Sequence, residues 1–487
     1  MLRKLRITLA IIMILLVTLL FVGVGYGISY EVNHGIDQWI GWSAKIQFIP
    51  ALLSFPFVIA AIIIVISLLF GRIYCSVVCP LGIMQDVYSW LGGKFKKNRF
   101  SYVKEHKWLR YTIMVVFFAC LIFGFVPITT LLEPYGNYGR IVTSFYLRNI
   151  TLSIIAWVVM LVLGVLAFLY GRAYCNSICP VGTLLSFFSR FSLFRIRFDK
   201  DKCKQCGLCE KNCKSRAIDV KNGKIDYSRC VVCFDCTDQC KFDALHYKVW
   251  KRMDCRVAPQ RSAPRNPKAH RPEGGNDEVD QGRRSFLVGA ALAAGTAAMA
   301  QAEMKVDGGL AVITEKQAPK RETPITPPGS VSARHLQQHC TACQLCISAC
   351  PNHVLRPSTD LMHFMQPTLS YEVGYCRPEC TRCSQVCPTG AIKPITKEEK
   401  TAIHVGHAVW VKANCVVLTD GVSCGNCARH CPTGAIQMVE YDHNGQTVMI
   451  PTVNESRCIG CGACENLCPS RPFSAIYVEG NPMHQID

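Results

Sequence analysis

No Cys-x2-Cys-His occurs among the 487 residues, which excludes covalently attached haem. The chain also lacks a glycine-rich nucleotide loop, a recognisable catalytic triad and a ligand set for molybdenum. Nothing in it reads as a self-contained catalyst. Acidic residues are scarce, 34 against 53 Lys and Arg, for a formal charge of +19. Charge of either sign is missing from several long stretches, and half of all residues are hydrophobic. One core is too small for this length, and several units are expected.

Four apolar stretches lie at about 7–26, 48–70, 111–129 and 152–170. Each is close to the ~20 residues that cross a hydrocarbon core as a helix, so four membrane spans are expected. Arg3, Lys4 and Arg6 precede the first, and Lys94, Lys96, Lys97, Arg99, Lys104 and Lys107 crowd the connection after the second. The other connections hold only Lys45, or Arg140 and Arg148. Positive loops stay inside, which puts the N-terminus and the segment after Tyr170 in the cytoplasm. His34 and His106 are expected to be ordinary loop residues.

A twelve-residue pattern is duplicated at the inner ends of the second and fourth stretches. GRIYCSVVCPLG, residues 71–82, returns one hundred residues later as GRAYCNSICPVG, residues 171–182. On a helix, Cys-x3-Cys places both thiols on one face. Two such faces would gather Cys75, Cys79, Cys175 and Cys179. Four thiols can hold an iron–sulfur centre or another metal, form a redox-active disulfide pair, or pack as small apolar residues.

The remaining cysteines are grouped. Cys203, Cys206, Cys209 and Cys213 form one run, and Cys230, Cys233, Cys236 and Cys240 a second. Both read C-x2-C-x2-C-x3-C, the ferredoxin spacing in which the fourth cysteine serves the other cluster. Cys203, Cys206, Cys209 and Cys240 are therefore expected around one [4Fe–4S] cluster, and Cys230, Cys233, Cys236 and Cys213 around another. Lys214 and Lys241 replace the usual following proline. Cys120 and Cys255 stand alone and are not expected to be ligands.

Four further runs follow: Cys340, Cys343, Cys346, Cys350; Cys376, Cys380, Cys383, Cys387; Cys415, Cys424, Cys427, Cys431; and Cys458, Cys461, Cys464, Cys468. Each ends Cys-x2-Cys-x3-Cys-Pro, and three precede an Ala-Ile pair expected to begin a short strand (Ala391-Ile392, Ala435-Ile436, Ala475-Ile476). Disulfides do not require such a repeated spacing. Six clusters in all are expected. A [4Fe–4S]2+ core with four thiolates carries about −2, so six would cancel about 12 positive charges, and no nucleic-acid partner is expected.

Between the two groups lies QGRRSFLVGAALAAGTAAMAQA, residues 281–302. Its paired arginines, short apolar core and A-x-A end have the order of an export signal and resemble the twin-arginine type, which carries folded proteins. The other reading is a fifth span. The expected organisation is a four-helix transmembrane domain (1–198), a cytoplasmic ferredoxin domain (199–245), a linker (246–280), the signal or fifth span (281–303), a linker (304–332) and a periplasmic four-cluster domain (333–487). The fold class is thus membrane α-helical, four spans plus a fifth, with two bacterial-ferredoxin-like α+β modules in a bacterial inner membrane.

The duplicated Cys-x3-Cys-Pro motifs with the double-cubane runs make residues 1–250 resemble the NapH-type quinol dehydrogenase component. Residues 281–487 resemble the NapG-type (MauM/NapG) ferredoxin, with its signal and four cysteine runs. The NosR proteins share the membrane pattern. The resemblance implies quinol as electron donor, a periplasmic reductase or cytochrome as acceptor, and nitrate respiration as the setting. It further implies that the first exported run pairs with the fourth and the second with the third. Glu133 and Tyr135, at the outer edge, would either receive a proton from quinol or be ordinary solvated loop residues. A NosR-like alternative is a maturation factor that supplies electrons or thiols to a periplasmic metalloenzyme.

Overall fold

The computed structural model describes residues 1–22, 39–54, 57–95, 100–103, 107–145, 150–199, 201–249, 315–443 and 445–486. Contacts divide the chain into two compact units, residues 1–250 with 317–487, and residues 251–316. The second unit, with the signal or fifth span at 281–303 and Cys255, lies outside the described residues apart from Glu315 and Lys316.

In the first unit the main helices of the N-terminal part are α1 (Leu2–Val22), α2 (Phe48–Leu53), α3 (Val58–Phe70), α4 (Pro80–Lys94), α5 (Lys107–Phe123), α6 (Val126–Leu132), α7 (Pro134–Thr143), α8 (Ile150–Tyr170) and α9 (Pro180–Ser189). Among the described residues two helices, Leu2–Val22 and Ser153–Tyr170 within α8, are long and apolar enough to cross a membrane. The other two expected spans are interrupted. The third ends at Gly124, whose φ of 75° suits glycine, and Pro127 opens a new helix just beyond. The second separates into α2 and the 13-residue α3. Pro56 lies between them and disfavours helix at the residue before it. Outward faces of these helices carry exposed Leu9, Ile12, Leu15, Ile62, Val65, Val116, Ile122, Leu161 and Val165.

The first ferredoxin-type module begins earlier and ends later than the spacing indicated. Strand β1 (Phe194–Phe198) pairs antiparallel with β2 (Leu245–Val249), in register Phe194↔Val249 to Phe198↔Leu245. Both strands flank the cysteine runs and close the module. The second module holds β3 (Leu355–Pro357) with β4 (Pro367–Leu369), β5 (Ile403–Trp410) with β8 (Ile476–Ile486), and the hairpin β6 (Ile436–His443) and β7 (Gln446–Val453). Ala435-Ile436 and Ala475-Ile476 do lead into strands, whereas Ile392 leads into none. There the backbone is used otherwise: Ile392 N–H donates to Cys387 Sγ and Lys393 N–H to Gly329 O.

Residues 317–332, expected as part of a linker, belong to this module. Ile325, Thr326 and Ser330 are buried, Arg321 pairs with Glu465 at 2.6 Å, and Thr326 Oγ1 meets His484 Nε2 at 2.8 Å. A proline- and threonine-rich strip can run extended along a sheet edge, satisfying its polar groups there rather than in water.

Candidate iron–sulfur sites and a buried cysteine quartet

The cysteine loops share a backbone device. In four of the six runs the residues on either side of the second cysteine are both left-handed: Gln205 and Gly207, Val232 and Phe234, Ala342 and Gln344, Gly460 and Gly462. For β-branched Val232, at φ 52°, this is a costly conformation. Backbone turned in this way aims successive N–H groups into a concavity that suits an anion, the nest found at many iron–sulfur sites. Several N–H groups reach sulfur: Gln205 to Cys203 at 3.4 Å, Ala217 to Cys213 at 3.4 Å, Ala244 to Cys240 at 3.3 Å and Ala475 to Cys468 at 3.3 Å.

In the first module Cys203, Cys206, Cys209 and Cys240 line one pocket of about 340 Å³. Cys230, Cys233 and Cys236 gather with Cys213. In the second module Cys387 joins Cys340, Cys343 and Cys346, and Cys350 joins Cys376, Cys380 and Cys383. Cys415, Cys424, Cys427 and Cys468 line an apolar pocket of about 390 Å³, and Cys431 lies with Cys458 and Cys461. Run one therefore pairs with run two, and run three with run four. This overturns the one-with-four pairing that the resemblance implied. The short helices Leu345–Ser348 and Arg382–Val386 pack together, as do Asn426–Arg429 and Ala463–Leu467.

Burial pushes the Cys209 and Cys427 thiols up to about 11 and those of Cys343 and Cys461 up to about 12, with neighbouring cysteines adding to it. Such thiols ionise near neutrality only when a metal displaces the proton. Among the described residues no three His, Cys, Asp or Glu groups close around one ion. The pockets, nests and N–H···S bonds are a donor set that fits a multi-iron core. Lys400, 5% exposed, adds a charge: its Nζ lies 3.3 Å from Cys376 Sγ and also donates to the carbonyls of Arg377 and Cys380.

The duplicated motif forms a two-fold-like core. Cys75, Cys79, Cys175 and Cys179 are all buried and face one another in one apolar cluster with Phe117, Val231 and Cys233. Extended Cys79 and Cys179 turn into Pro80 and Pro180, which open α4 and α9. A Cβ on Gly82 or Gly182 would fall 2.3 Å from the carbonyl oxygen of Cys75 or Cys175, so each motif's last glycine is obligatory. The arginines cross over: Arg72 Nη2 donates to Cys175 O at 3.1 Å, and Arg172 Nη1 to Cys75 O at 2.8 Å. Arg172 also pairs with Asp86 at 2.8 Å, beside Arg6 and Lys214. Arg72 is fully buried, lies 3.9 Å from Cys75 Sγ and has no carboxylate partner among the described residues. A buried cation needs a counter-charge, and the quartet's sulfurs are the groups in reach that could carry one.

Both modules dock on this part. Arg172 N–H donates to Lys214 O at 2.9 Å, and Arg3 Nε to Asp235 at 2.9 Å. At the far end of α1, Phe21 and Leu20 pack with Tyr135, Cys343 and Leu345. There Arg140 Nη1 donates to Ala342 O at 3.0 Å and Thr143 Oγ1 to Gln344 Oε1 at 2.7 Å. Glu133 is no solvated loop charge. It is 2% exposed, caps α7 by accepting from Tyr135 and Gly136 N–H, and lines a cleft with Leu53, Phe117, Leu121, Thr341 and Cys340.

Against known families, a 4Fe-4S dicluster domain matches residues 335–408 and 422–471, and 4Fe-4S binding domains match 53–98 with 151–200 and, separately, 195–218. The methylamine utilization ferredoxin-type protein MauM of Methylobacillus flagellatus is 31% identical over 165 residues, 33% of this chain and 70% of that protein. The chain belongs to the ferredoxin-type 4Fe–4S proteins. The ferredoxin-type protein NapF of Escherichia coli is 28% identical over 181 residues, 37% of this chain and all of NapF. The putative electron transport protein YccM of the same organism is 27% identical over 226 residues, 42% of this chain and 61% of YccM. No solved structure matches. As a ferredoxin-type protein the chain is an iron–sulfur electron carrier. The family match at 53–98 and 151–200 takes in the quartet's own segments. Arg72, Arg172 and Lys400 were not singled out from the sequence, although the first two stand in the duplicated motif.

Proposed function

We propose that this protein spans a bacterial inner membrane and passes electrons from quinol to a periplasmic reductase or cytochrome, by resemblance in the periplasmic nitrate reductase system. The reading rests on the placement of the two modules at opposite ends of α1. That helix has 21 residues, about 30 Å at 1.5 Å per residue, which equals the hydrocarbon thickness. The exposed apolar faces of α1, α3, α5 and α8 are costly in water and suited to lipid.

Bound at the six sites, the clusters supply one-electron carriers. The twenty-four run cysteines, Cys203 to Cys468, are their ligands, and Cys75, Cys79, Cys175 and Cys179 would hold a further centre between the modules. The quinol headgroup would enter at the cleft beside Glu133, whose walls must part to admit it, since the free space there is about that of one water. Leu53, Phe117 and Leu121 give apolar walls, and the carboxylate accepts a hydrogen bond from a ring hydroxyl. Ile122 and Phe123, between lining Leu121 and Gly124 in the chain, are exposed and suited to lipid.

The test is quinol-driven reduction of the full chain in liposomes, followed by iron–sulfur absorbance and electron paramagnetic resonance. A soluble menaquinol analogue should reduce the clusters over many turnovers, and Leu121→Trp should slow this at least tenfold by filling the cleft. Absence of quinol-driven reduction in the wild type refutes the reading. Single-turnover activation of an apoenzyme in its place would favour the maturation alternative.

A further inference from the structure

A second pocket lies where α8 ends and the first module docks, with a volume of about 610 Å³. Four of its described lining residues are cations, Arg172, Lys214, Arg216 and Arg229, and none of the described lining residues is acidic. Carboxylates do meet these cations, but outside the lining. Asp86 takes Arg172 Nε at 2.8 Å, Asp226 takes Arg229 Nε at 2.8 Å, and Asp235 lies 3.2 Å from Lys214 Nζ. Among the described residues the Arg216 side chain meets the carbonyl of Ser101, at 3.1 Å from Nε, and lies 5.9 Å from the Tyr170 ring centroid, with no carboxylate.

The pocket holds unmade bonds. Arg172 Nη2, Arg229 Nη2 and Ser215 Oγ are buried without a hydrogen-bond partner among the described residues, on residues 0%, 5% and 4% exposed. A buried polar atom left unpaired is destabilising, and more so when charged. All three belong to residues that line the pocket, and all can donate, which points to a shared acceptor. Water could accept from each singly but would leave the positive charge uncompensated. A tetrahedral oxyanion offers several acceptor oxygens at once, and guanidinium forks match its geometry.

We infer that this pocket binds a phosphate group, supplied by the headgroup of an anionic phospholipid. The phosphate chemistry follows from the lining alone. The lipid source rests on the membrane reading: α8 ends at Tyr170 beside the pocket, Leu109 lines it, and Trp108, next in the chain, is 79% exposed. A basic pocket at the cytoplasmic end of a spanning helix lies at headgroup depth. The site also abuts the redox path, because Arg172 touches the carbonyl of Cys75 and Lys214 follows ligand Cys213. A bound anion there would make both neighbouring centres harder to reduce.

The test uses the full chain in nanodiscs of phosphatidylcholine with graded phosphatidylglycerol, read by native mass spectrometry of retained lipid. A parallel arm titrates inorganic phosphate in phosphatidylcholine alone, read by the midpoint potentials of the clusters at residues 203–240. The expected result is saturable retention of one phosphatidylglycerol, weakened at least tenfold in Ser215→Ala/Arg216→Gln, and partly restored in Ser215→Ala/Arg216→Lys. Iron content should match wild type throughout, which separates loss of the site from misfolding. Saturable phosphate binding with no lipid preference overturns the lipid source and upholds the phosphate site. Retention of neither, or equal retention in the variants at full iron content, overturns the site and leaves the electron-transfer reading untouched.

Discussion

Lys400 gives the most direct measure of how this fold sets a potential. Its ammonium is 5% exposed and lies 3.3 Å from Cys376 Sγ. Burial works against the charge, yet the Cys376 and Cys383 sulfurs outweigh it and raise the lysine's affinity for its proton. Adding a metal–sulfur bond of about 2.3 Å puts the charge at most about 6 Å from the nearest iron. Coulomb's law at an effective dielectric of about 20 then gives about 3 kcal/mol. At about 59 mV per 1.4 kcal/mol for one electron, this is ~130 mV, or roughly half that when spread over four irons. The reduced cluster is the more negative state, so the ammonium favours it and its loss must lower the potential. Lys400→Met should shift the cluster of Cys350, Cys376, Cys380 and Cys383 down by roughly 60–130 mV, whereas Lys400→Arg should hold it within about 30 mV, since the charge is kept. Redox titration followed by electron paramagnetic resonance reads both. An unchanged or raised potential in the methionine variant, with iron content intact, would refute the reasoning.

Other sites make comparable predictions. Arg72→Gln removes the cation beside Cys75 and should lower iron bound at the quartet; an iron count equal to wild type would remove the argument for a thiolate counter-charge. Gly171→Ala sets a Cβ 2.4 Å from Lys214 O at a residue with φ 69°, so the first module should loosen and its docking loop become cleavable by limited proteolysis. His484 is 8% exposed, and burial lowers its pKa to about 4. Its neutral form is the one the fold prefers, so its contribution is complete above the unfolded value near 6.5 and is lost as pH falls from there toward 4. That loss approaches ~3 kcal/mol. In urea denaturation of the second module, the gap between wild type and His484→Gln should therefore shrink on acidification, and a gap independent of pH would show the ring is not responsible.

The cysteine runs were legible because cluster ligation imposes a spacing that no packing constraint imitates. Their pairing within residues 333–487 was not, because the gaps between runs are nearly equal and it is packing, of Leu345–Ser348 on Arg382–Val386 and of Asn426–Arg429 on Ala463–Leu467, that distinguishes partners. The apolar stretches were legible as hydropathy, but helix continuity was not. Gly124 and Pro127 break the third stretch without altering its mean hydropathy. Residues 317–332 looked like a connector because composition reports what a strip is made of, while its burial depends on the sheet it lies against. Lys400 and Thr341 carry no local signal at all. One becomes meaningful only when a helix 24 residues on brings it to Cys376, the other only when the cleft beside Glu133 closes around it.

The duplicated motif carries its own argument about charge. Position for position, the copies differ by one hundred residues, so Asp86 of the first corresponds to Ser186 of the second. Arg172 uses Asp86, reaching across to the other copy at 2.8 Å. The symmetric arrangement would give Arg72 a carboxylate at 186, and a buried serine stands there instead. One arginine is thus neutralised by protein and its twin is left facing sulfur, with only neutral acceptors, Asn176 Oδ1 and the backbone carbonyls of Cys175 and Ser228, as its other partners among the described residues. A neutral disulfide or a set of packed thiols at the quartet would leave this guanidinium as an uncompensated charge in an apolar core, a cost of several kcal/mol. A metal centre with thiolate ligands removes that cost. The missing carboxylate at 186 therefore argues for an anionic quartet more strongly than the four cysteines do, since cysteines can be buried for packing alone and an unpaired arginine cannot.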